Sequence, residues 1–166
     1  MPLLDRTGLR TDIWEASADG ASAAEHVIVG FACLDAALAG NGRGCKIGVA
    51  ITNDVKAVAL EPYLDQVELI AIAFPNSGDG RGFSIARQLR ALGFKGVLRA
   101  SGPLIADQFA SALDCGFDEI ALPDGVAARQ PVAQWLAMAG MISHSYQRGY
   151  GAQNILDARR AARTTA

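Results

Sequence analysis

The residues best suited to chemistry lie in a glycine-rich segment in the middle of the chain. Residues 74–84 read Phe-Pro-Asn-Ser-Gly-Asp-Gly-Arg-Gly-Phe-Ser. Five of them are candidate binding residues: Asp79, Gly80, Arg81, Gly82 and Ser84. Free backbone N–H groups at a helix start, with an arginine beside them, would suit binding of an anion. The same residues also suit a tight turn in which Asp79 or Ser84 caps the following helix, and both interpretations stay open.

Neither standard nucleotide-binding motif fits this segment. The dinucleotide fingerprint needs its third glycine where Phe83 stands, and a P-loop needs Gly-Lys-Ser/Thr where the chain has Arg81, Gly82 and Phe83. The segment is therefore interpreted either as a binding site for a small anion or a partner surface, or as a structural turn that binds nothing.

Four polar residues further along extend the list of candidates. Arg87 follows on the same predicted helix, and Asp107 and Gln108 lie on the next one. Arg99 interrupts an apolar run, and a charge there needs a partner, which Asp107 or Asp79 would supply. Such a pair would be either an internal ion pair or part of a binding site.

The sequence contains no complete catalytic or metal-binding constellation. Cys33, Cys45 and Cys115 are widely spaced, without a CxxC pair, and His26 and His144 show no triad or metal spacing. We therefore expect neither a metal centre nor a cofactor, and we leave open whether the protein is an enzyme.

Short apolar runs predict the strands that position these residues. The runs are 27–29, 47–51, 69–74, 97–100 and 120–122, and helical segments are predicted at 31–38, 55–64, 83–92, 104–115 and 131–141. Gly93 and Gly116 are placed to end two of these helices. Strand and helix alternate, so we predict an α/β fold with a mainly parallel sheet of about five strands. An open Rossmann-like sheet is favoured, and a partial βα-barrel is the alternative.

Polar residues follow the predicted strands, at 52–54, 76–82, 101–102 and 124–125. Because ligands of parallel sheets bind at the carboxyl ends of the strands, we expect the functional site there. We divide the chain into an N-terminal arm at 1–24, an α/β domain at 25–148 and a tail at 149–166 that is either flexible or a partner contact. The turn signal Thr7-Gly8 indicates that the arm wraps the domain as a short hairpin or as an extended segment.

Composition narrows the class of protein. The 166 residues are 51% hydrophobic with a formal net charge of −2, which fits one globular domain and provides no overall field for nucleic acid or an anionic membrane. No apolar stretch is long enough to span a bilayer. The three scattered cysteines and the charged first ten residues predict a cytoplasmic protein.

The segment 69–90, with its Asp79-Gly80-Arg81 core and the trailing Ser84-x-Ala86-Arg87, resembles an uncharacterised bacterial group, domain-of-unknown-function family 934. The likeness continues through 96–102, Asp107-Gln108 and 115–118, and is weaker at 12–14 and 146–147. The chain departs from the family pattern at Asn76-Ser77, where a larger residue is usual. The resemblance implies a link to assimilatory sulfur metabolism, since members are often encoded beside sulfite reductase.

Three functions follow as expectations. The first is a non-catalytic accessory or partner protein of assimilatory sulfite reduction, which uses the region of Asp79, Arg81, Arg99 and Asp107 to recognise a partner or a small anion. The second is an enzyme or binding protein for a small oxyanion or phosphorylated metabolite at the carboxyl edge of the sheet. The third is a structural oligomer, with the contact on a strand edge or on the helix at 131–141.

Overall fold

The computed structural model describes residues 1–18, 24–41 and 44–139. The predicted tail at 149–166, the last residues of the helix predicted at 131–141, and His144 lie outside the described residues.

Eight strands form one curled, mixed sheet. They are β1 (Leu3–Asp5), β2 (Gly8–Arg10), β3 (Glu15–Ser17), β4 (His26–Gly30), β5 (Lys46–Ile51), β6 (Leu69–Ala73), β7 (Val97–Ser101) and β8 (Glu119–Ala121). The order across the sheet is β2-β1-β8-β7-β6-β5-β4-β3. The five predicted strands are confirmed as β4 to β8, whereas the three short strands before them raise the number of strands from about five to eight.

Helices connect the parallel strands from β4 to β8, and further helices follow β8. Five helices of the described residues are α-helical: α1 (Leu34–Ala39), α2 (Arg81–Ala91), α3 (Phe109–Asp114), α4 (Asp124–Ala127) and α5 (Val132–Ala139). Three 3-10 helices, Phe31–Cys33, Ala57–Tyr63 and Ala106–Gln108, complete the connections. Gly93 and Gly116 follow α2 and α3 with φ angles of 96° and 102°, as predicted for helix-ending glycines. No helix of the described residues is long and apolar enough to cross a membrane.

The α/β class and the mainly parallel sheet are confirmed, but the favoured open Rossmann-like arrangement is wrong. From β3 to β8 each strand pairs in parallel with the next strand along the chain. A doubly wound sheet requires a reversal of strand order, which does not occur here. Right-handed crossovers that always advance in one direction place their helices on a single face of the sheet. The result is a half-barrel, as in the βα-barrel alternative.

The N-terminal strands occupy both edges of this sheet. β1 and β2 form an antiparallel hairpin that joins β8, whereas β3 pairs with β4 at the opposite edge. Residues 11–14, which we call the strap, link the two edges. Five residue steps from Arg10 to Glu15 reach about 18 Å at most, whereas eight flat strands would place the edges about 34 Å apart. The short strap therefore requires the sheet to curl.

The hydrophobic core lies on the outer, helix-covered face of the sheet. Strand residues such as Ile70, Ile72 and Leu98 pack there against Leu89 of α2 and Phe109 of α3, and all five are fully buried. Burial of each such side chain contributes about 1.5–3 kcal/mol. The opposite, inner face of the half-barrel is the one that the strap crosses.

Candidate functional site

The carboxyl ends of β6 and β7 carry most of the predicted site residues. Asp79 to Ser84 follow β6, and Asp107 and Gln108 follow β7. Gln108 joins the two connections, because its Nε2 donates a hydrogen bond of 2.7 Å to the Ser77 carbonyl. Its Oε1 accepts one of 3.2 Å from the N–H of Ile105. We call the ends of β5 to β8, with the residues that directly follow them, the C-terminal edge.

Asp79 and Arg81 form an ion pair at the start of α2. Arg81 donates from Nη2 to Asp79 Oδ2 at 2.7 Å and from Nε to Oδ1 at 3.0 Å. The Arg81 backbone N–H, the first of the helix, also donates to Asp79 Oδ1 at 3.2 Å. Negative charge is favourable at a helix N-terminus. The anion at this position is therefore the protein's own carboxylate.

This pairing fixes the charge of Asp79. The hydrogen bonds from Arg81 are the main reason that the pKa of Asp79 lies far below its usual range. The neighbouring Asn53 side chain lowers that pKa further. The Nδ2 of Asn53 is buried and has no hydrogen-bond partner in the described part of the chain. A carboxyl group held ionised in this way is poorly suited to give or take protons near neutral pH.

Gly82 has a packing role. It is buried in the first turn of α2, and a Cβ there would overlap the ring of Phe74, the residue after β6. The Phe74 ring also contacts Phe83 and Phe117, with centroids 5.1 and 5.8 Å away. The glycine therefore lets α2 begin directly against this aromatic cluster.

Arg87 and Arg90 lie further along α2, away from its first turn. Arg87 forms an ion pair of 2.7 Å with Asp114 of α3. Arg90 donates to the carbonyls of Phe94, Gly96 and Gly116, at 2.8 to 3.0 Å, and at 2.6 Å to the carboxylate of Asp118. Both arginines hold outer elements together, so the structure does not group Arg87 with Arg81.

Arg99 lies on the inner face, in a cluster of its own. Its Nε donates to Glu119 Oε1 on β8 at 2.8 Å. Its two terminal nitrogens donate to the two carboxylate oxygens of Asp12, both at 2.8 Å. The prediction that Asp107 or Asp79 pairs with Arg99 is thus wrong. The side chain of Arg99 is directed into the half-barrel, whereas Asp79 and Asp107 lie at the C-terminal edge.

Burial sets the electrostatics of this cluster. Arg99 is only 4% exposed. Burial would lower its pKa, but the two carboxylates outweigh this effect and the pKa is raised. Burial raises the pKa of Glu119. In Asp12 burial also acts to raise the pKa, but the hydrogen bonds from Arg99 and from the Trp14 N–H, together with the positive charge of Arg99, outweigh it and the pKa is lowered. Removal of one partner from such a buried arginine is strongly destabilising, because it leaves an uncompensated charge.

The strap makes a second contact with the inner face through Trp14. A Cβ at Gly48 of β5 would lie 3.1 Å from the Trp14 ring, so the absence of a side chain there lets the indole rest on the sheet. The ring also meets His26 edge-on, with centroids 5.0 Å apart. Asp12 and Trp14 together hold the strap against the sheet.

Two residues that sequence reasoning missed, Asp12 and Glu119, are the partners of Arg99. Asn53, one of the polar residues at 52–54 where the site was expected, lies beside Asp79. The buried charge of Arg99 required acidic partners, but sequence spacing did not indicate which ones. In the described part of the chain, no three His, Cys, Asp or Glu side chains are grouped to hold a metal ion. Burial raises the pKa of Cys115, which makes its thiol less reactive.

Comparison with known protein families identifies the chain's relatives. The model of a family described as a bacterial protein of unknown function (DUF934) matches residues 48–156, well over half of the chain. The chain belongs to this family. The match contains the whole Asp79–Arg81 region and Arg99, while Asp12 and the strap precede it. No curated protein matches the chain.

Proposed function

We propose that this DUF934 protein is a cytoplasmic, non-catalytic accessory protein of assimilatory sulfite reduction whose C-terminal edge binds a protein partner, with sulfite reductase as the expected partner. The observation that carries the proposal is the exposure of large apolar side chains at this edge. Ile105, four residues after β7, is 40% exposed. Met1 is also exposed, and it lies nearby because the Leu122 N–H after β8 donates to the Pro2 carbonyl.

The polar residues between them suit the rim of an interface. Arg81, Asp54 and Asp107 are exposed at the same edge. The pKa of Asp54 is lowered, mainly by the Thr52 hydroxyl and less by Arg81, so the edge presents fixed charges of both signs around its apolar side chains. Protein interfaces have this composition, with apolar contacts inside a polar rim.

The pairing of Asp79 supports a non-catalytic role. Asp79 lies just before the start of α2, and its carboxylate is already bound twice by Arg81. Proton transfer works best when the pKa of the group lies near the working pH, and the pKa of Asp79 lies far below it.

The test is affinity capture of the tagged protein from cells grown on sulfate as the sulfur source. The key variant is Ile105→Asp, which places a charge among the apolar side chains of the edge. Its matched control is Leu92→Asp, because Leu92 is equally exposed, at 39% compared with 40%, but lies at the far end of α2. Folding of each variant is checked by thermal melting.

We expect wild type and Leu92→Asp to capture sulfite reductase, and Ile105→Asp to lose it. Capture by all three proteins would move the partner site away from this edge. Failure of the wild type to capture the reductase, together with unchanged reductase activity in a deletion strain, would overturn the link to sulfite reduction.

A second proposal, binding of a small oxyanion, has one observation in its favour. The side chain of Arg81 is 60% exposed beside the first turn of an eleven-residue helix, so part of its positive charge faces solvent. Calorimetric titration of wild type and Arg81→Gln with sulfate, sulfite and phosphate tests it. Saturable heat that disappears in the variant would favour this function over the partner role.

A further inference from the structure

The inner face of the half-barrel holds an arginine whose fork is occupied by a carboxylate from the strap. Arg99 offers two parallel N–H groups to the two oxygens of Asp12, with both distances at 2.8 Å. This is the geometry in which an arginine recognises a carboxylate group of a ligand. Here the two oxygens of Asp12 stand in for that ligand group.

The two partners of Arg99 are held unequally. Glu119 belongs to β8, lies directly across from Arg99 in the sheet register, and has a side chain that is 16% exposed. Asp12 belongs to the strap, outside any strand, and its side chain is 33% exposed. Glu119 therefore fixes the guanidinium, while Asp12 can be reached from solvent and lies in four residues of irregular chain.

The nearest residues of β6, β7 and β8 on the inner face have small side chains around the guanidinium fork of Arg99. The register places Ala71 of β6 beside Arg99 on the same face. Two positions further along, the side chains on this face are Ser101 of β7 and Ala121 of β8, which lie opposite each other. Leu3 of β1, which pairs with Ala121, lies on the same face, and Leu3, Ala71 and Ala121 are only 4 to 6% exposed, so room for a ligand beside the fork must come from displacement of the strap.

We propose that Arg99 is the recognition site for a carboxylate-bearing small molecule, and that Asp12 closes this site as an internal ligand until the strap is displaced. The exchange conserves charge, because one carboxylate leaves the fork as another enters. Glu119 keeps the guanidinium in place during the exchange, and Trp14 leaves Gly48 with the strap. This site is separate from the proposed partner surface and stands or falls without it.

The first experiment removes the internal ligand. Asp12→Ala is melted in increasing acetate, at ionic strength held constant with chloride, and compared with Asp114→Ala, which takes the carboxylate from Arg87 instead. We expect a saturable rise in Tm for Asp12→Ala only. The rise should be lost when Arg99→Lys is added, because lysine keeps the charge without the fork. If Asp12→Ala does not fold alone, its refolding yield should rise with acetate.

The second experiment asks whether the wild-type strap moves. In a Trp135→Phe background, Trp14 is the only tryptophan, since the chain has two. We expect acetate to change Trp14 emission at higher concentrations than those that act on Asp12→Ala, because acetate must displace Asp12. Equal responses of Asp12→Ala and Asp114→Ala, or an unchanged Trp14 signal, would overturn the proposal and leave Asp12 as a permanent structural partner.

Discussion

Asp12 and Arg99 lie 87 positions apart in the sequence and meet through two hydrogen bonds of 2.8 Å inside the half-barrel. The pair joins the strap to β7, the fourth of the eight strands across the sheet. Because Arg99 is buried, loss of its partner leaves a charge that water cannot readily reach.

Asp12→Asn is therefore expected to lower the free energy of unfolding by about 2 kcal/mol, below the usual range for a fully buried pair since Asp12 is partly exposed. Asp114→Asn, which weakens the exposed Arg87–Asp114 pair, should lower it by less than about 1 kcal/mol. Urea unfolding monitored by circular dichroism measures both values. Equal losses in the two variants would show that the buried cluster adds nothing beyond a surface ion pair.

The two glycines that flank Arg81 should respond differently to alanine. A Cβ at Gly82 would overlap the Phe74 ring, whereas at Gly80 the nearest neighbour is Phe83 at 3.8 Å. We expect Gly82→Ala to lower the free energy of unfolding by about 1–3 kcal/mol, as overpacking does, and Gly80→Ala to change it little. Thermal and urea unfolding report the difference, and a tolerated Gly82→Ala would contradict the close packing of α2 on Phe74.

Arg81→Gln should return the pKa of Asp79 toward its ordinary value. A carboxyl group whose pKa is lowered by folding stabilises the protein above its unfolded pKa of about 3.9, and this stabilisation is lost as pH falls toward the folded pKa. The variant should therefore lose less of its remaining stability on acidification than the wild type. Carboxyl-carbon NMR titration gives the pKa directly.

Asp54 is an internal control in the same spectra. Its pKa is lowered mainly by Thr52 and only weakly by Arg81. Asp54 should consequently move much less than Asp79 when Arg81 is replaced. A larger change in the pKa of Asp54 than in that of Asp79 would mean that Arg81 pairs mainly with Asp54 in solution.

Lysine should replace Arg87 more readily than Arg90. Arg90 donates to three carbonyls and a carboxylate, which a single ammonium group cannot match. We expect Arg90→Lys to reduce the free energy of unfolding by about 2 kcal/mol and Arg87→Lys by less than about 1 kcal/mol. Hydrogen exchange at the Leu98 N–H, which donates to Asp118, should rise in Arg90→Lys alone. The same exchange rate in both variants would argue against the role of Arg90 in holding β7.

The parallel strands were predictable because their burial leaves a continuous apolar pattern. β5 and β6, for example, follow the runs at 47–51 and 69–74 closely. The hairpin of β1 and β2 matches one of the two forms expected of the N-terminal arm, whereas β3 was missed since it has three residues and reads Glu-Ala-Ser, which has no strand periodicity. Local propensity says little about a short strand that forms because it pairs with the edge of a sheet built by other parts of the chain.

Strand order and the partners of Arg99 could not be predicted for a related reason. A strand-helix-strand pattern is compatible with either direction of advance across a sheet, so the open sheet and the half-barrel share one pattern. The four-residue link between β2 and β3 excludes the flat open sheet. This argument can be made only when β2 and β3 are already known to be the two edge strands. Asp12 lies in that link, where no periodicity places its side chain.

The pairing of Leu3 with Ala121 has a consequence for biosynthesis. β1 is synthesised well before β8, the last described strand, and must wait for it before it can take its place in the sheet. Such non-local pairing slows folding and leaves unpaired edges exposed in the meantime. The nascent chain should thus require chaperone protection until β8 is synthesised, and the finished half-barrel should form late and cooperatively.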